Sequence, residues 1–76
     1  MENIYTFIET QLENAAIYRG DYSMVNTFKL IAFGAWMFYI HQRLNEGISK
    51  EELNKLDDEW DNKYRLHFEA LAKEAS

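Results

Sequence analysis

The chain has 76 residues, 13 acidic against 8 basic side chains, a net charge of −5 and no cysteine. That length is one domain, 1–76, and the missing cysteine excludes disulfides and thiolate metal sites. Like charge disfavours direct binding to a nucleic-acid backbone or an anionic membrane surface.

A chain this short buries only about 60% of its unfolded surface, so its core gains from a supplement such as a second copy. Hydrophobic residues make up 47% and aromatics 16%, which argues against disorder. The start, Met1-Glu2-Asn3-Ile4-Tyr5, lacks a basic stretch followed by an apolar run, so a cytoplasmic location is expected. The longest apolar run, residues 30–40, is shorter than the roughly 20 residues a bilayer span needs.

The first helix is predicted over about 4–18. Ile4, Ile8, Leu12 and Ala15 recur at helical spacing, with Tyr5 and Ala16 on one flank and Phe7 and Tyr18 on the other. Asn3 can cap its start. Arg19-Gly20-Asp21-Tyr22-Ser23 reads as a turn, with Asp21 or Ser23 as the next cap. Arg19-Gly20-Asp21 also matches an integrin-binding tripeptide, but a tight turn with a helix cap explains it without function.

The second helix is predicted over about 24–45, ending at Gly47. Its stretch Leu30-Ile31-Ala32-Phe33-Gly34-Ala35-Trp36-Met37-Phe38-Tyr39-Ile40 is apolar all the way round. On a helical wheel it carries two stripes. Phe28, Ile31, Ala32, Ala35, Phe38 and Tyr39 form one. Leu30, Phe33, Met37, Ile40 and Leu44 form the other, with Trp36 on an edge. Gly34 reads as a site of close helix approach or a slight kink.

The third helix is predicted over about 50–74. Ser49-Lys50-Glu51-Glu52 has the form of a capping box. Its apolar stripe is Leu53, Leu56, Trp60, Tyr64, His67 and Leu71, with Phe68 beside it. Glu51/Lys55, Glu59/Lys63, Asp61/Arg65 and Glu69/Lys73 follow the favourable acid-before-base order.

An all-α fold follows, a three-helix bundle or hairpin array that self-associates through its central helix. Either the outer helices flank the second one in a monomer, or they cover one stripe and a second molecule covers the other. At 1.5 Å per residue the third helix is about 40 Å long and the first about 23 Å, so Tyr64, Phe68 and Leu71 are expected to overhang and to need a neighbour. Leu30, Phe33, Trp36, Met37, Ile40 and Leu44 are the candidate self-association residues, in a homodimer.

Catalytic chemistry has little support. Ser23 and Ser49 are explained as caps, there is no glycine-rich phosphate loop, and neither His41 nor His67 stands in an acid-x-x-His arrangement. His67 falls on the apolar stripe and is expected as a core or interface histidine rather than a ligand. No metal or other cofactor is expected. Asp57, Asp58, Glu59 and Asp61 form a solvated acidic surface that could face a partner.

The reading is a small acidic, non-enzymatic protein-interaction module of inhibitor or adaptor type, on the scale of small bacteriophage accessory proteins. It self-associates and binds or modulates an unidentified protein. One alternative is a nucleic-acid mimic occupying a basic groove on a host protein. A further one is a small enzyme with a site at a dimer interface.

Overall fold

The computed structural model describes residues 3–74, all in helices or the turns between them. Helix α1 is Ile4–Ile17 and α2 is Tyr22–Asn45. A third rod joins α3 (Lys50–Glu59), a π-helical stretch (Trp60–Arg65) and α4 (Leu66–Lys73) without a break.

Helices α1, α2 and α3 each begin where a short polar side chain satisfies an amide that has no partner within the helix. Asn3 accepts from the Thr6 amide (2.9 Å), Asp21 from Met24 (3.2 Å) and Ser49 from Glu52 (3.2 Å). Asp21 thus caps α2. Ser23 lies inside the first turn, where its carbonyl accepts from the Thr27 hydroxyl. The capping box is half made: Glu52 extends its carboxylate to Arg43 (3.2 Å) instead of back to the Ser49 amide. Gly47, at φ +87°, ends α2. Its amide donates to the Leu44 carbonyl and that of Ile48 to Arg43, a pairing that closes the last turn and favours glycine.

The chain runs up, down and up. Tyr18 stacks on Phe28 and Tyr5 meets Tyr39, so α1 and α2 are antiparallel. Phe33 lies against Trp60, and Lys29 pairs with Glu69, so α2 and the third rod are antiparallel as well. Tyr5 reaches Glu59, and the Gly20 amide donates to the Leu71 carbonyl, so α1 runs parallel to the rod and beside it. The two outer helices therefore share one side of α2, giving a body of 42 × 25 × 15 Å.

Trp36 occupies the centre. It is 1% exposed, and the rings of Tyr5, Tyr39, Trp60 and Tyr64 surround it at 5.6–6.2 Å between centroids. Ile8, Ala15, Val25, Ala32, Ile40, Phe68 and Leu71 complete the core. Each large side chain so buried contributes roughly 1.5–3 kcal/mol of hydrophobic free energy.

Two expectations for the third helix are corrected. His67 is exposed and Phe68 takes the buried place. In a regular α-helix each four-residue step overshoots a full turn by about 40°, so Trp60, Tyr64 and Phe68 would drift off one face. The π-helical stretch holds more residues per turn and keeps them together. The overhang falls at the other end. Because α1 starts level with Glu59, it covers Tyr64, Phe68 and Leu71. The part left uncovered by α1 is α3, which has no buried residue and leans on the end of α2 through Arg43 and Glu52.

Candidate functional site

The inward face of α2 is Val25, Ala32, Trp36 and Ile40. This face cuts across both apolar stripes, because it is centred on the edge between them. Trp36 and Ile40, grouped with the self-association residues from the sequence, are taken up by the chain's own core. Leu30 (58% exposed), Phe33 (42%), Met37 (36%) and Leu44 (44%) remain in solvent. Ile31 and Phe38, assigned to the first stripe, are exposed as well, Phe38 by 66%.

The outer face of α2 is thus a continuous apolar surface formed by Leu30, Ile31, Phe33, Met37, Phe38 and Leu44. Gly34 lies at its middle. Ile31 and Phe38 were missed as members, yet a signal was present: Leu30, Ile31, Met37 and Phe38 stand at the i−4, i−3, i+3 and i+4 positions of Gly34. Beside Phe38 a groove of about 350 Å³ opens between Ile4 and Phe7 of α1 and Ala35 and Tyr39 of α2.

The charges bordering this face are engaged elsewhere. Between Tyr22 and Asn45 there is no acidic residue. Lys29 pairs with Glu69 at 3.8 Å, and Arg43 donates to Glu46 and Glu52 at 2.9 and 3.2 Å. His41 is exposed between Phe38 and Leu44.

The four candidate acidic residues do not act as a unit. Asp57, Asp58 and Asp61 are exposed, but Asp61 accepts from Arg65 (3.3 Å), which also donates to Glu69 (3.1 Å). Glu59 turns inward, within 3.5 Å of the Tyr5 hydroxyl. The Tyr5 pKa is raised by burial first and then by the Glu59 carboxylate.

Other polar groups have structural roles. Arg19 donates to the Ala16 carbonyl and Asp21 caps α2, so the Arg19-Gly20-Asp21 segment is a tied turn. Among the described residues, no three His, Asp or Glu side chains gather where they could hold a metal ion. No helix of the described chain is long and apolar enough to cross a membrane. Two buried polar atoms, Trp36 Nε1 and Tyr64 Oη, have no hydrogen-bond partner among the described residues. Burial pushes the Tyr64 hydroxyl up to about 12, with Glu59, Tyr5 and Glu9 adding to the shift.

The chain matches no family model, no curated protein and no solved structure.

Proposed function

We propose that this chain is a non-enzymatic protein-interaction module, of inhibitor or adaptor type, that self-associates and binds or modulates a protein partner through the outer face of α2. One observation carries the reading: six large apolar side chains stand exposed on one face of a helix that contains no acidic residue. Scattered exposed leucines are ordinary on a monomer, but a contiguous face is a mark of an interface.

The magnitudes support association. From the exposed fractions, these six side chains leave roughly 500 Å² of surface in water, taking about 200 Å² for a whole large side chain. Two such faces brought together remove about 1,000 Å², or on the order of 25 kcal/mol gross at about 25 cal/mol per Å². Association costs roughly 4–15 kcal/mol, and ordering the side chains takes more. The surplus suits a dimer of moderate affinity that can exchange one apolar partner for another.

Sedimentation equilibrium at micromolar concentration tests this. The wild type is expected near twice the 9.1 kDa mass of the chain. Phe38→Glu is expected at the single mass with its helical circular dichroism intact, because Phe38 contributes little to the core. A wild type that stays at the single mass throughout would remove self-association.

A further inference from the structure

We propose that the α2 helix of a second copy crosses this face antiparallel, with the two-fold axis passing at Gly34. The proposal rests on the self-association reading and specifies its geometry.

The starting point is a glycine that the chain's own fold does not require. Glycine is the poorest helix former after proline, and Gly34 sits in the middle of a 24-residue helix. Its backbone is ordinary, since the positive φ angles of the described residues belong to Gly20 and Gly47. A Cβ built on Gly34 would meet nothing within 4 Å. No neighbour within the molecule excludes a side chain there.

Around that bare position stand Leu30, Ile31, Met37 and Phe38, each exposed by 36% or more. They form four apolar walls about a floor of backbone. Helices pack by seating side chains in such hollows, and the spacing of their axes depends on the side chains at the contact. A glycine at the crossing allows the closest approach.

Self-complementarity identifies the occupant as a second copy. An antiparallel crossing about Gly34 reverses height but keeps each side, so it sets Leu30 against Met37 of the partner subunit and Ile31 against Phe38 of the partner subunit. Every wall then meets a wall across a shared floor. The area fits too, since about 1,000 Å² from the two apolar faces, plus a polar rim, reaches the lower range of specific interfaces.

Charge selects the orientation. A parallel pair would set each His41, which lies on this face, beside its own copy and align like ends of the two helix dipoles. The antiparallel pair separates the histidines and places opposite ends of the two helix dipoles together. With no acid on α2, and with Lys29 and Arg43 paired within the chain, no uncompensated charge is buried at the crossing.

The test replaces Gly34 by Ala and by Leu. In the isolated chain a Cβ at this exposed position meets nothing, and both residues have a better helix propensity, so thermal stability under dilute, monomeric conditions should hold or rise. In the dimer the added side chain fills the crossing, so Gly34→Leu should raise the dissociation constant by at least about tenfold, with Gly34→Ala intermediate. Opposite signs on fold and assembly would support the proposal. To test orientation, Leu30→Glu and Met37→Lys are each expected to be monomeric alone and to form a heterodimer when mixed. If Gly34→Leu dimerises like the wild type while Phe38→Glu does not, the face is an interface but the crossing is elsewhere, and the proposal fails alone. If Gly34→Leu dissociates but the mixture stays monomeric, the antiparallel arrangement fails. A monomeric wild type overturns both the proposal and the reading beneath it.

Discussion

Replacing Tyr64 by Phe should stabilise the protein. Tyr64 is wholly buried, with Trp36 and Trp60 at 5.7 and 6.0 Å between ring centroids, and its hydroxyl has no partner among the described residues. A buried polar group without a hydrogen bond costs about 1–3 kcal/mol, whereas the ring keeps its contacts in the variant. Allowing for the packing lost with one oxygen, the expected gain is about 1–2 kcal/mol. In a domain of this size that raises the thermal midpoint by roughly 5–15 °C. Thermal unfolding followed by circular dichroism at pH 7 measures it. The gap should widen in alkali. The Tyr64 hydroxyl has its pKa raised in the folded state to about 12, by burial first and then by Glu59, Tyr5 and Glu9. The stability this neutral phenol carries is complete below pH 10 and is lost as pH rises through about 12, a loss the Phe variant does not share. A drop in midpoint at pH 7 in Tyr64→Phe would show that the hydroxyl is satisfied and would refute the reasoning.

Two other pairs of substitutions separate neighbouring residues. Phe68→Ala should cost about 3–5 kcal/mol, enough to unfold much of so small a domain, while His67→Ala should stay within about 0.5 kcal/mol in urea unfolding. Asp21→Ala should cost about 0.5–2 kcal/mol through loss of the α2 cap, and Ser23→Ala much less. Equal effects within either pair would contradict the assigned faces or caps.

Local signals placed the elements well. Asn3, Ser49 and Gly47 each have one conformational role that a single sequence reveals, whereas Asp21 and Ser23 both stood as caps for α2, which begins at Tyr22 rather than near Met24 because Asp21 takes the role. The orientation of α2 was harder to read, because a helix apolar on every side has no preferred inward face of its own. What decides it is the bulk it must meet: Tyr5, Trp60 and Tyr64 on the outer helices draw Trp36 inward, and both apolar stripes are left half outside. The four-residue spacing of Trp60, Tyr64 and Phe68 was visible, but it becomes a single face only if the helix widens locally. Helical wheels drawn at a fixed angle assume that it does not, and so they select His67. The candidate surface was partly legible for the same reason: Leu30, Phe33, Met37 and Leu44 were found, and Ile31 and Phe38 were assigned inward.

The wide turn also bears on insertion and deletion. From Leu53 to Leu71 the inward positions fall at intervals of three, four, four, four and three residues. Subtract one residue between Trp60 and Tyr64 and the intervals become three, four, three, four, three, the ordinary alternation of an α-helix packed on one side. The π-helical stretch is therefore the form taken by a regular helix carrying one residue too many, with the surplus among the exposed Asp61, Asn62 and Lys63. Helices rarely tolerate a change of length in mid-span, because everything beyond it rotates by about 100°. At this one place the rod can lose Asn62, revert to plain α-helix, and keep both Tyr64 and Phe68 facing Trp60's side. A rod one residue shorter at this place would then share the same core.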